Sequence, residues 1–467
     1  MDMQIIASSR LRISPVSNFI FRVLSSSNKT YEIPTIPGGT YNYGVLTSDG
    51  QSFTGQTGNL NINFDEPITE YIIQITGVFP SLYINNSSTH RDKILEVITF
   101  GIYGLNSTTQ IGAFFGANNL IITATDGSNF GTVKDFSSTW YNCTGLTSFP
   151  LIDTSGGNNF SNTWRGCQAL TSFPALDFTG TQSLSLTWVN CTGLTSFSLI
   201  STAGVQNFQY AWYNCNSLPS FPLIDMSSAT TLTLTWYNCT ELMSFPQVDL
   251  SNCVSLSNTW RNCTRLTSFP LLDTSSCSSF SLTWSNCNSL PSFPLIDISS
   301  CISMNSTWQD CSGLKSFPLI DFKNVTTLNN TWRGCSELNT FPLINTAKVR
   351  NFLHTWRGCS KLTSFPSISL AEATGTGLSD TWRDCTSLSD FPSEIFEGIG
   401  VNRFDRTFMN TDLSKSSIDK ILLAIDSNEN SNGIFFQSGG SAPSITGTKA
   451  IDRLRGRDWD ITVTGGY

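Results

Sequence analysis

From residue 136 to residue 408 the apolar positions recur in fixed columns instead of following a helical or strand period. A Trp returns at 140, 164, 188, 212, 236, 260, 284, 308, 332 and 356, each interval being 24 residues, and again at 382 after 26. The unit around it reads Thr-Trp-x-x-Cys-x-x-Leu-x-Ser-Phe-Pro, complete at residues 139–150. Further apolar columns lie four before Trp (Phe136, Phe160, Leu184), six after (Leu), nine after (Phe) and twelve after (Ile, Leu or Val). A coil this short cannot bury its apolar face alone and must stack on copies of itself. The pattern therefore predicts a mainly β protein built on a solenoid of leucine-rich-repeat type with 24-residue coils. About thirteen coils at ~4.8 Å each give a length of roughly 60 Å. Leu-x-Ser-Phe is the expected strand of each coil, closed by a Pro that donates no amide hydrogen bond. Two residues after Trp the column reads Asn, Gly or Asp, the residue types that enter the left-handed region cheaply, so a repeated tight turn is expected there. Phe114 and Phe408 stand in the Trp column 26 residues outside the first and last Trp, as degenerate end coils.

The flanks follow other patterns. Residues 1–93 hold short, partly alternating runs at 19–24, 41–46, 59–64 and 71–76, separated by turn signals at 37–39, 48–50 and 65–67, and predict a small β-sandwich. The array occupies 94–413. Residues 414–467 carry a helical pattern at 417–425, a second short helix near 449–455 and a strand at 459–463, an α/β cap for an array end that would otherwise expose apolar surface and strand edges.

Charge and cysteine usage narrow the chemistry. A net charge of −8 with 13% charged residues leaves no electrostatic footprint for nucleic acid or anionic lipid. No run approaches the ~18 apolar residues of a membrane span, and the opening Met1-Asp2-Met3-Gln4-Ile5 lacks the pattern of a signal peptide, so neither export by the usual route nor membrane insertion is expected. Eleven of the fourteen cysteines follow Trp by three residues, and Cys253, Cys277 and Cys301 form a second column. Neighbours on such ladders lie farther apart than the ~3.8 Å between Cβ atoms that a disulfide prefers, so free buried thiols are expected. The Asn-Cys-Thr triplets match a glycosylation acceptor, but a buried Cys beside a turn accounts for them. There is no Cys-x-x-Cys, and the two histidines, His90 and His354, are isolated, so no metal site and no cofactor are expected.

The column directly after Trp supplies the candidate binding residues Tyr141, Arg165, Tyr213, Tyr237, Arg261, Arg333, Arg357 and Arg383, interrupted by Val189, Ser285 and Gln309. Buried neighbours on both sides predict that it faces solvent, where Tyr and Arg stack on sugars and bond carboxylates. The plain alternative is a surface position tolerant of polar residues. A second column is acidic: Asp153, Asp177, Asp225, Asp249, Asp273, Asp297 and Asp321. Asp followed by x-Ser caps its own backbone in an Asx-turn, the favoured reading, with calcium between neighbouring carboxylates as the other. The Thr before each Trp resembles hydroxyl arrays of ice-binding solenoids but is wedged beside the core. No nucleophile elbow or phosphate-cradling loop is present, so no catalytic residue is expected, and paired acids on neighbouring coils leave a glycosidase as a remote alternative.

The full unit, extended by x-Ile-Asp-x-Ser, resembles the BspA-like leucine-rich repeat, with Trp where that family has Phe. Gly44-Val45-Leu46-Thr47-Ser48-Asp49-Gly50-Gln51-Ser52-Phe53-Thr54-Gly55 is similar to the PKD-like β-domain that precedes such repeats, without its Trp-Gly-Asp-Gly turn. Asp458-Trp459-Asp460-Ile461-Thr462-Val463 resembles the terminal strand of such proteins. The resemblance implies surface display and adhesion, in bacterial surface proteins and bacteriophage structural proteins, and not catalysis. With Met1 in place, no export signal and thiols kept reduced, a bacteriophage virion protein such as a tail or capsid fibre is expected ahead of an exported adhesin. The N-terminal domain would meet other virion proteins, and the repeat face or C-terminal tip a host surface glycan or protein; self-association stays open. The alternative is an exported bacterial surface adhesin.

Overall fold

The computed structural model describes residues 18–467; the opening segment inspected for an export signal lies outside the described residues. The chain is mainly β, with two α-helices among the described residues. It divides into two compact units, Met1–Ala229 and Thr230–Tyr467.

In the first unit, β1 (Phe19–Leu24) alternates large apolar residues that are fully buried, Phe19, Phe21 and Val23, and so becomes a central strand. With β3 (Asn42–Thr47), β4 (Ser52–Gln56), β6 (Glu70–Val78), β7 (Ile94–Thr99) and β8 (Ile121–Ile122) it forms a sheet of order β4-β3-β6-β1-β7-β8. A second sheet pairs β2 (Thr30–Ile33) with β5 (Leu60–Asn63), and the rings of Phe21 and Tyr31 meet at 6.5 Å between the two sheets. Strand pairing does not stop at residue 93. β7 pairs antiparallel with β1 and parallel with β8, Glu96 opposite Ile121, so the sheet runs on past the expected boundary.

The 24-residue sequence repeats of this unit are joined by one recurring hydrogen-bond scheme. Amides four and two before Trp, at Trp, and two after it donate to carbonyls 23 residues on: Phe136 to Asn159 (2.8 Å), Ser138 to Ser161 (3.0 Å), Trp140 to Thr163 (2.9 Å) and Asn142 to Arg165 (2.7 Å). The amides of Thr139, Tyr141 and Cys143 bond three residues back, and the Ser137 amide bonds Asp135 Oδ1 at 2.8 Å. This alternation bends the chain at two left-handed residues per coil. The expected one follows Trp by two (Asn142, φ 56°; Asn190, φ 61°), and an unexpected one precedes it by two (Ser138, φ 55°; Leu186, φ 65°; Tyr210, φ 58°). Parallel bridges form five residues before Trp, as at Asp135 with Asn159 and Ser183 with Asn207.

The expected strand at Leu-x-Ser-Phe is a correction. Among the described residues it forms only as β9 (Ser172–Phe173) with β10 (Ser196–Phe197). That pair stands where Ser198 replaces Pro, and the Ser198 amide donates to the Phe173 carbonyl at 3.2 Å. Proline at this position has no N–H, so in the other coils the ladder is cut before it reads as a strand.

The second unit repeats the scheme, with parallel bridges from Thr231 with Ser255 through to Thr327 with Asn351. Past Trp382 come β11 (Arg403–Phe408), α1 (Lys415–Ser427), β12 (Ile434–Gln437), α2 (Ile445–Arg455) and β13 (Asp460–Thr462). The three strands are parallel in that order. Ser414 and Ser444 cap the helices by accepting from the Ser417 and Thr446 amides, and Ile418, Ile421, Leu422 and Ile425 bury one face of α1. β11 lies before residue 413 and β12 after it, so hydrogen bonds cross that expected boundary too. No helix among the described residues is long and apolar enough to cross a membrane.

Candidate binding faces of the repeat array

What faces inward fixes what is left to face out. Within the first unit Trp140, Trp164, Trp188 and Trp212 stack with ring centroids 5.1–5.8 Å apart and planes 5–6° from parallel. Within the second, Trp236 to Trp382 stack at 5.6–5.8 Å, and Phe408 continues the column at 5.5 Å. Each Thr before Trp is buried, its hydroxyl within bonding distance of two carbonyls; Thr163 reaches Phe160 at 2.7 Å and Phe136 at 3.1 Å. It cannot present a hydroxyl array to solvent.

All fourteen cysteines are free and buried. Thiols of the main column donate to the Trp carbonyl of the preceding coil, as Cys167 to Trp140 at 3.2 Å and Cys311 to Trp284 at 3.0 Å. Burial pushes Cys191, Cys311 and Cys385 up to about 12, so the column is protonated and unreactive at neutral pH.

The column after Trp is half-buried, not open to solvent, and Val189 and Ser285 in it are fully buried. Its members fold down on each other. The Arg165 guanidinium lies 5.6 Å over the Tyr141 ring and bonds Asn162 Oδ1 at 3.1 Å. Arg261 repeats this on Tyr237 (5.8 Å) and Asn258 Oδ1 (3.2 Å). Tyr213 packs on Tyr210 at 5.7 Å. Arg383 reaches buried Asp380 at 2.9 Å, and Arg357 lies 3.5 Å from Asp384. Arg333 forms no ion pair among the described residues. Nearby His354 is lowered from its usual value by burial and by the arginines around it, against the pull of Asp380. Most donors expected to meet a ligand are thus spent within the array.

The acidic column does form Asx-turns. Asp273 Oδ1 accepts from the Ser275 amide (3.1 Å) and hydroxyl (2.7 Å), Asp297 Oδ1 from the Ser299 amide (2.8 Å), and Asp153, Asp177, Asp225, Asp249 and Asp321 do the same. These bonds hold Asp249 and Asp297 below the usual carboxylate value. One oxygen of each carboxylate faces its own turn, and the second oxygen of Asp321 lies 3.5 Å from Lys323 Nζ.

Sequence reasoning missed an exposed apolar column. The residue eleven after Trp is Leu in seven coils: Leu151, Leu199 and Leu223 in the first unit at 61–65% exposure, and Leu271, Leu295, Leu319 and Leu343 in the second at 55–66%. The next residue is always turned in; Ile296 and Ile320 are 3% and 1% exposed. A groove of about 410 Å³ runs between Leu295, Leu319, Asp297, Asp321 and Lys323, and a similar one of about 460 Å³ in the first unit is lined by Leu151, Asp153 and Asp177. The signal was available: position +11 also accepts Ala175, Gln247 and Ser367, whereas position +12 is apolar from Ile152 through Ile368. Besides these faces, Ser379, Arg403, Asp405, Arg406, Ile434 and Phe436 line a pocket of about 410 Å³ on the C-terminal sheet, where Arg403 pairs with Asp405 and Arg406 with Asp380. A scan against protein-family models finds no match to this chain, and a search of curated proteins finds none either.

Proposed function

We propose that the chain is a non-enzymatic structural and binding protein. In this reading it is a leucine-rich-repeat-type solenoid of 24-residue coils, with a β-sandwich before it and an α/β cap after it. It serves as a bacteriophage virion protein, a tail or capsid fibre that contacts the host surface. The observation that carries the reading is the exposed Leu and Asp repeated at fixed coil positions. An interior made of identical ladders exists to hold identical outward groups in register, which suits recognition by surface and not chemistry at one cleft. Protonated, buried thiols add support, since they suit a chain that folds in a reducing compartment.

The N-terminal sheets then attach the protein to other virion components. The test is mass spectrometry of purified particles with copy-number counting, together with binding of the purified chain to host cells. Presence at fixed stoichiometry with capsid and tail proteins is the expected result. Recovery from the bacterial surface and absence from particles would replace it with the adhesin reading.

A further inference from the structure

The leucines are 55–66% exposed among the described residues, and four of them stand in consecutive repeats of the second unit. Each is anchored by a buried neighbour, Leu272, Ile296, Ile320 and Ile344, so the ridge is fixed in place by the core. Four leucines at this exposure show roughly 400 Å² of apolar surface, the scale at which a patch marks an association site. Counting the Ser/Thr column on one side and the Asp column on the other, the face approaches the roughly 800 Å² per partner of a standard interface.

We infer that this face docks a second copy of the chain, side by side and parallel. A partner must offer apolar groups at the spacing of the coils, and this chain is itself such a surface. The pattern across the face sets the symmetry. In chain order the exposed columns are Thr267/Ser268, Ser292 and Lys315/Ser316, then Leu, then Asp273, Asp297 and Asp321. A two-fold axis along the stacking direction of the unit's coils lays Leu on Leu. It sets each Asp column against the hydroxyl column and Lys315 of the other copy. An axis across the coils would set Asp against Asp, which like charge opposes. With one oxygen of Asp273 and of Asp297 held by its own turn, the second can accept from the serine hydroxyls and Lys315, whereas Thr267 already donates to the Met243 carbonyl at 3.1 Å.

The inference is independent of whether the protein belongs to a virion or a cell surface. Sedimentation velocity of the full chain tests it, at about 10 µM and above, where an interface of this size is populated. A dimer is expected. The double variant Leu295→Asp/Leu319→Asp is expected to weaken it at least tenfold with unchanged circular dichroism and melting, because both sites lie outside the core. A monomeric wild type, or a dimer indifferent to the double variant, would overturn it. The orientation is read separately with Leu271→Cys and a short bis-maleimide, the fourteen native thiols being buried. Cross-linking of 271 to 271 is the parallel result. Cross-linking only between Leu271→Cys and Leu343→Cys copies would reverse the axis.

Discussion

Trp284 tests why the core column is built from indole. It is fully buried, stacks on Trp260 at 5.8 Å and Trp308 at 5.6 Å, and meets Phe293 and Phe269 edge-on at 4.6 and 5.3 Å. Its Nε1 has no hydrogen-bond partner among the described residues. Trp284→Ala is expected to cost about 3–5 kcal/mol, toward the upper end. The backbone there cannot collapse, since the Trp284 amide is bonded to Thr307 at 2.9 Å and its carbonyl to the Cys311 thiol at 3.0 Å. Trp284→Phe sets two effects against each other. Losing the second ring leaves a void of ~40 Å³, worth about 1 kcal/mol at ~24 cal/mol per Å³, and weakens stacking worth about 0.5–1.5 kcal/mol. Removing a buried N–H that gave up water without a replacement returns about 1–3 kcal/mol. The two nearly cancel, so Trp284→Phe is expected within about 1 kcal/mol of wild type. Guanidinium denaturation followed by far-ultraviolet circular dichroism reads both variants. A Phe variant that loses more than about 2 kcal/mol would refute the reasoning and show that the indole N–H is satisfied in solution, for instance by trapped water.

Three further outcomes follow from the coil geometry and its buried thiols. Leu282 sits at φ 58°, where the preceding repeat uses Asn258 and the following ones Ser306 and Asn330; the left-handed region costs an ordinary residue about 1–2 kcal/mol, so Leu282→Asn is expected to raise stability by about 1 kcal/mol in the same denaturation assay. Ser198→Pro removes the amide bonded to Phe173 and is expected to cost about 1 kcal/mol and to speed hydrogen exchange at Ser196, although ten other coils carry Pro there. Cys191, Cys311 and Cys385 are raised from an ordinary 9.0 to about 12. The unfolded thiols therefore ionise first, so their stabilisation is whole below pH 9 and falls as pH rises toward 12. Melting followed across that range checks this, and no thiol should react with an aromatic disulfide reagent at neutral pH until the chain is denatured.

How much was legible follows from what each column must do alone. The Trp period, the buried thiols, the Asx-turns and the left-handed residue after Trp are all written in residue types with one physical use, Asn and Gly for positive φ or Asp-x-Ser for a turn. The left-handed residue before Trp is not, because Leu186, Tyr210 and His354 occupy it against their own preference. Only its own amide and those two residues to either side, bonded to the next repeat, impose that shape, and those bonds do not exist until copies stack. The strand was misplaced for a related reason: Leu-x-Ser-Phe has strand composition, but the Pro that ends it removes the donor that would extend the ladder. β12 was passed over because Ile434-Phe435-Phe436-Gln437 is a strand only through its parallel neighbours β11 and β13.

The column after Trp is read by the opposite route, from the chemistry of its side chains before asking where they are spent, and only its expected openness to solvent is corrected by its half-burial. Tyr and Arg after Trp look like contact residues, yet a guanidinium one coil away from a ring, with an Asn amide oxygen beside it, finds its partners at home. Leucine looks like core, yet in Phe-Pro-Leu-Ile-Asp the Phe and Ile already face inward, and the backbone cannot turn the residue between Pro and Ile the same way. In an array the reliable mark of a surface column is therefore its tolerance, not its polarity. Position +11 accepts Ala, Gln and Ser and is still Leu in seven coils, so something outside the core favours Leu there. Because that something acts through many equivalent residues, one substitution in the ridge should do little and two in adjacent coils much more, the behaviour of an extended interface and not of a single pocket.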